Sequence, residues 1–171
     1  LVRYLRWSGY EVKAVSNITD IDDKIIARAA EEGTSEPDLA ARFEEIFIAE
    51  MDRLNIAHPD LRPRATEFVD RMVSVITDLI DREMAYTTDD GVYFDVDKLD
   101  EYGALVNRTV DDLREGAGAR VDVDESKDDP LDFALWKAAK PGEPTWDSPW
   151  GPGRPGWHIE CVAMSLDLLG D

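Results

Sequence analysis

Two residue types that can ligate metal or act as nucleophiles stand three positions apart near the end of this chain. They are His158 and Cys161, the latter the only cysteine in 171 residues. On a helix, that spacing puts both side chains on one face, where a metal could take both. A tetrahedral zinc site needs more: four donors, or three and a substrate. The other histidine is His58, and the remaining donors are carboxylates. The Cys and His residues cannot by themselves close a structural zinc site. On these residues alone, a buried, inert Cys161 and an ordinary His158 are the simpler account. No Gly-rich phosphate loop, Ser-His-Asp set or Cys-His-Asn set can be assembled.

What must position this pair is the stretch from Trp150 to Ser165. Gly and Pro alternate through Gly151, Pro152, Gly153, Pro155 and Gly156. Ile159, Val162, Ala163, Leu166 and Leu169 then follow at helical offsets. The reading is a stiff loop feeding a helix, with Trp157, His158 and Cys161 in its first turn and a half. The free N–H groups and positive dipole end of that helix face whatever lies above.

A second candidate is Asn17-Ile-Thr-Asp-Ile-Asp-Asp-Lys-Ile-Ile26. It follows Glu11–Ser16, read as a short strand. In open α/β sheets, ligands bind beyond the carboxyl ends of strands, which places Thr19 to touch one. Capping of the next helix by Thr19 or Asp20 is the simpler account on spacing alone. Asp20, Asp22 and Asp23 resemble the start of a calcium loop, but its glycine and distal glutamate are missing.

The rest reads as an α/β arrangement with an insertion. Leu1–Ser8 is a helix closed by Gly9. The helix after Thr19 buries Ile21, Ile25, Ile26 and Ala29 and ends at Gly33. Long helices are expected over about 37–54 and 64–84, paired as an antiparallel hairpin. His58, in the link between them, reads as an ordinary surface histidine. Residues 86–96 read as a β-hairpin turning at Asp90-Gly91. A short helix is expected within 102–116 and an exposed strand over 120–124. An apolar segment covers 132–137 and a Pro/Gly-rich loop 140–154.

Composition sets outer limits. At 43% hydrophobic, the chain can build a sizeable core. No apolar run reaches membrane-span length. One cysteine excludes an internal disulfide framework and fits a reducing compartment. The net charge of −19 argues against a broad nucleic-acid face on these residues. The start at Leu1 and the end just past Leu169 suggest a piece of a longer protein.

Three stretches together carry a resemblance. They are Asn17–Ile26, the run from Ala119-Arg-Val to Asp132-Phe-Ala-Leu-Trp-Lys137, and Ser148-Pro-Trp-Gly-Pro-Gly-Arg-Pro-Gly-Trp-His-Ile-Glu-Cys161. In order, and over essentially the whole chain, they resemble cysteinyl-tRNA synthetase. The resemblance implies a partial Rossmann-like class I catalytic domain interrupted by an α+β connective peptide. Residues 1–84 and 137–171 would be catalytic-domain parts and 85–136 the insertion. It implies activation of L-cysteine with ATP and magnesium to cysteinyl-adenylate, then transfer to tRNA(Cys). It further implies a cytoplasmic, monomeric parent enzyme with no membrane association.

The resemblance also assigns residues. Cys161 matches one protein ligand of a zinc that takes the substrate thiol as thiolate. Trp157 matches the wall of the cysteine pocket, and Thr19 a substrate contact. His158 drops out as a metal candidate. A thiolate binds zinc far better than a serine hydroxyl, so no editing site is needed. The chain lacks the HIGH-type and KMSKS-type ATP motifs, so its catalytic residues are unknown. The other zinc ligands (a Cys upstream, a His and a Glu downstream) and the anticodon-binding region are also missing. The piece alone is expected to be inactive, and the acidic charge no longer argues against RNA. Two other readings are a mycothiol-pathway cysteine ligase, which shares the Gly/Pro loop, and a non-catalytic tRNA- or partner-binding module.

Overall fold

The computed structural model describes residues 1–117 and 127–170, the backbone alone over 115–117. The strand expected over 120–124 lies outside the described residues. The chain combines helices with a four-stranded antiparallel sheet, in keeping with the α/β expectation. The chain divides into two compact units: residues 1–69 with 160–171, and residues 70–159.

In the first unit, α1 (Val2–Trp7) ends before Gly9, whose φ of +89° is the left-handed conformation glycine favours. The expected strand over 11–16 does not form as such. Two isolated parallel bridges take its place, Val15 with Leu61 and Ile18 with Arg64. Ser16 N–H donates to Leu61 O at 3.1 Å and Ile18 N–H to Pro63 O at 2.8 Å. This short parallel contact holds Asn17–Thr19 extended.

Helix α2 (Asp23–Glu32) is capped by Asp22, whose carboxylate accepts the Lys24 N–H at 2.7 Å. Thr19 and Asp20 therefore do not cap it. Asp20 is already engaged, accepting from Thr66 N–H at 3.0 Å and the Thr66 hydroxyl at 2.5 Å. Of the expected stripe, Ile21 and Ala29 are buried, while Ile25 and Ile26 are half-buried. Gly33 closes the helix at φ +65°. Ser35 caps α3 (Glu36–Arg53), with Pro37 in its first turn as that residue's fixed φ favours. Helices α2 and α3 pack on each other.

A 3-10 turn (Ala65–Phe68) runs into α4 (Val69–Asp81). The two long helices expected as a hairpin thus fall in different units: α3 in the first, and α4 past Val69 in the second.

The second unit is built on an antiparallel sheet in the order β1-β2-β3-β4. The strands are β1 (Ala85–Thr88), β2 (Gly91–Phe94), β3 (Phe133–Ala138) and β4 (Gly153–Pro155). Thr88 pairs with Gly91, so the hairpin loop is Asp89-Asp90. That is one residue earlier than the Asp-Gly signal suggested. The β2–β3 register slips between Val92 and Tyr93, which leaves Leu135 as the extra residue of a bulge. The bulge falls where consecutive Leu135 and Trp136 are both buried. Helix α5 (Val110–Ala117) follows a 3-10 turn over Ala104–Val106. Met72, Ile76, Val92, Val96, Leu135 and Trp136 form the core of this unit.

Asp132, 2% exposed, ties the unit's loops together. It accepts from the Tyr86 hydroxyl at 2.7 Å, Val96 N–H at 2.9 Å and Asp129 N–H at 3.1 Å. Burial, and then the bond to Asp132, hold the Tyr86 phenol well above its usual pKa.

Candidate functional site

The Gly/Pro loop is fixed by its approach to β3. Residues 146 and 153 exchange backbone hydrogen bonds, Trp146 N–H to Gly153 O at 2.7 Å and Gly153 N–H to Trp146 O at 3.0 Å. Residues 153–155 then pair with β3 as strand β4. Gly156 N–H donates to Leu135 O at 2.8 Å. Both glycines are required by close packing. A Cβ on Gly153 would lie 2.2 Å from Lys137 O, and one on Gly156 would lie 2.0 Å from Ala134 O. Arg154 between them is 3% exposed and pairs with Glu143 at 2.8 Å. The loop is therefore stiff, as expected. Part of that stiffness comes from a strand that a Gly-Arg-Pro sequence does not announce.

Helix α6 (Trp157–Leu168) starts directly after this strand. In the second unit, its first residue Trp157 is 62% exposed. The His158 ring packs 4.6 Å from Phe133 and 5.4 Å from Trp157. Burial pushes the His158 imidazole below its usual pKa. Its ring is thus accounted for by aromatic packing.

In the first unit, α6 continues with Glu160 and Cys161. Cys161 is a free, exposed thiol, not the buried inert residue that spacing alone suggested. Glu160 is 1% exposed, and its Oε2 accepts the Thr19 hydroxyl at 2.9 Å. Burial pushes the Glu160 carboxyl up to about 7, and the charges of Asp20 and Asp22 push the same way. The Thr19 bond works against them. Thr19 thus ties the parallel contact at Ile18 to the Glu160 stretch of α6 within the first unit. Lys13 Nζ, donating to Leu168 O, secures the far end of the helix.

Thr19 also lines a cavity of about 420 Å³ with Asn17, Lys24, Ile25, Leu39 and Phe43. Thr19 and Cys161 belong to the first unit and Trp157 to the second. Sequence reasoning missed Glu160. The available signal was an acidic residue in a helix whose neighbours Ile159, Ala163 and Met164 are all buried.

Among the described residues, no group of three His, Cys, Asp or Glu side chains is placed to hold a metal. Cys161 presents one accessible sulfur donor. These residues alone do not make a zinc site. Among the described residues, no helix is long and apolar enough to cross a membrane.

The whole chain, residues 1–171, matches the family described as tRNA synthetases class I (C) catalytic domain, and it belongs to that family. Among similar proteins is one named Cysteine--tRNA ligase from Desulfotalea psychrophila, 53% identical over 171 residues. That match covers 100% of this chain and 35% of the relative. A protein of the same name from Thermodesulfovibrio yellowstonii is 54% identical, covering 100% of this chain and 36% of the relative. One from Coxiella burnetii is 56% identical, covering 99% and 37%. The chain thus spans about a third of the length of these relatives.

Proposed function

We propose that the whole protein joins L-cysteine to ATP, with magnesium, and passes the cysteinyl group to tRNA(Cys). The observation carrying this reading is the end-to-end match to the class I (C) catalytic domain, with relatives of one name above 50% identity. Residues 85–136 would be the connective peptide inserted in the catalytic domain. The protein would act in the cytoplasm as a monomer. The 171 residues carry neither ATP motif and would not activate cysteine alone.

Thr19 and Trp157 would contact the amino acid. Because the Thr19 hydroxyl donates to Glu160, its oxygen is left to accept from a substrate donor. The ammonium of cysteine is the fitting donor, and the adjacent Glu160 carboxylate would favour that charge. Cys161 would supply one thiolate to a zinc ion, with the other ligands from chain beyond these residues. Such a zinc would bind the thiol of cysteine in preference to the hydroxyl of serine.

The test is cysteine-dependent ATP–pyrophosphate exchange and tRNA cysteinylation by the full-length protein. Exchange without transfer to tRNA, but with transfer to an amino sugar, would point to the mycothiol-type ligase. Absence of exchange would leave a non-catalytic module. Zinc content should fall in Cys161→Ser of the full-length protein, and unchanged zinc refutes the ligand role.

A further inference from the structure

Thr19 owes its place to a residue far along the chain. The last bridge of the parallel contact is at Ile18, and α2 is capped only at Asp22. Between them the chain is neither strand nor helix. Ile21, 3% exposed, anchors one side of this short span. Asp20 anchors the other. Both of its carboxylate oxygens are engaged, one by the Thr66 N–H at 3.0 Å and the other by the Thr66 hydroxyl at 2.5 Å. Two donors from one residue stop the carboxylate from turning and so fix the peptide that joins Thr19 to Asp20. Thr66 is itself held in place. Ile18 N–H donates to Pro63 O at 2.8 Å, Ala65 N–H donates to Ile18 O at 3.0 Å, and Ala65 is fully buried. All of these residues lie in the first unit.

The needs of the backbone explain only one of the two bonds to Asp20. Thr66 lies in the 3-10 turn over Ala65–Phe68, where the first N–H groups need acceptors from outside. Any residue but Pro at this position would offer that N–H to Asp20. The hydroxyl bond requires Thr or Ser, and it is charge-assisted and short. It adds nothing to the turn, but it sets the direction of Asp20. The Thr19 hydroxyl is meanwhile committed to Glu160 at 2.9 Å. With the backbone held at Asp20 and the proton held at Glu160, the Thr19 oxygen keeps one orientation. We infer that Thr66 is, through Asp20, a positioning residue for Thr19 and so for the ammonium of the amino-acid substrate. The inference rests on the contact proposed above between Thr19 and that ammonium.

The experiment uses the full-length protein with Thr66→Val, Thr66→Ser and Thr19→Val, and with Thr66→Val and Thr19→Val combined. Val keeps the shape of Thr and removes the hydroxyl. The ammonium takes no part in joining carboxylate to phosphate, so its contact is the same before and during the reaction. Thr66→Val should therefore raise KM for cysteine about 3- to 10-fold, the worth of one hydrogen bond, with kcat and KM for ATP within about twofold of wild type. Thr66→Ser should bring KM for cysteine back to within about twofold. In the Thr19→Val background, Thr66→Val should add less than about twofold, because a residue acting through Thr19 has nothing left to position. An added effect as large as that in the wild-type background would make Thr66 a structural residue and overturn the inference. So would an unchanged KM for cysteine in Thr66→Val, or a KM for ATP rising in step with it. Crystal structures of the wild-type and Thr66→Val proteins separate the inference from the reading beneath it. If the wild type shows no cysteine-dependent exchange, yet the Thr19 hydroxyl leaves Glu160 in Thr66→Val, the positioning of Thr19 by Thr66 stands and the synthetase reading fails. If that hydroxyl stays on Glu160 in both proteins, the positioning role fails whatever the exchange shows.

Discussion

Replacing Gly156 with alanine tests the link between the loop's packing and the placement of Trp157. The new Cβ would stand 2.0 Å from Ala134 O, where such carbons are not found closer than 3.0 Å. The neighbour is backbone in the middle of a sheet, so no side chain can swing aside. Strands β3 and β4 must part by about 1 Å, a lower bound set by the 3.0 Å limit. The Gly156 N–H···O Leu135 bond, at 2.8 Å now, would then pass beyond hydrogen-bonding range. Losing one such bond costs about 1 kcal/mol, and overpacking a tight site costs roughly 1–3 kcal/mol more. The expected loss is therefore about 2–4 kcal/mol, read from urea unfolding of the full-length protein. Trp157 is the next residue and starts α6, so the same shift moves it and the helix behind it. Under the amino-acid contact proposed for Trp157, a displacement near 1 Å would cost about 100-fold in rate. Cysteine-dependent exchange should fall by roughly that factor. A Gly156→Ala protein with wild-type unfolding and exchange would show that β4 tolerates a side chain, and the packing argument would be wrong.

Other perturbations probe separate parts. Thr19→Val should cost about 1–3 kcal/mol by stripping Glu160 of its hydroxyl donor, with a raised KM for cysteine. Thr19→Ser should keep both near wild type, and equal effects of Val and Ser would refute the hydrogen-bond account. Asp132→Ala removes the acceptor of the Tyr86 hydroxyl and the Val96 N–H inside the second unit. A loss of about 3–5 kcal/mol in chemical denaturation is expected, with Tyr86→Phe costing less. Asp60 accepts the Ala14 N–H at 2.7 Å and pairs with Arg6, so its pKa lies below the ordinary 3.8. A depressed carboxyl stabilises the fold above its unfolded pKa, and that contribution fades as pH falls through the folded one. Asp60→Asn should therefore lower the urea midpoint at pH 7, with the gap to wild type narrowing below about pH 3.8. A gap constant with pH would contradict this.

Helix boundaries were the most legible part of the sequence, because end signals act locally. Gly33 placed the end of α2, and Pro37 placed the start of α3 to within a residue, although the Ser35 cap of α3 was not read. The β1–β2 hairpin was legible from its β-favouring residues. It was off by one because Gly91 is needed inside the strand: its Cβ would lie 2.0 Å from Trp136 O. Asp22 was hidden as a cap because four candidates, Thr19, Asp20, Asp22 and Asp23, crowd the same turn. Which one caps is decided by Thr66, far along the chain, which takes Asp20 away. Strand β4 was illegible because Gly and Pro argue against a strand everywhere except beside a backbone that only glycine can approach.

The candidate site divides along the same line. Cys161 and Trp157 could be placed on one helix start from the sequence, and α6 begins there. Their roles came only from resemblance. What neither spacing nor resemblance supplied is Glu160, the α6 residue that holds the Thr19 hydroxyl. A carboxyl 1% exposed, pushed toward neutrality by burial and by Asp20 and Asp22, is costly to keep. A hydrophobic residue of similar size would fill the same space without that cost. It could not hold the Thr19 hydroxyl as a donor, and Thr19 would then be free to rotate. With its proton committed to Glu160, Thr19 meets the cavity as an acceptor only. Under the substrate contact proposed for Thr19, that restriction would favour a ligand that brings its own donor, such as an ammonium, over one that offers only acceptors. The buried carboxyl is thus better explained by the polarity it imposes on Thr19 than by any gain in stability.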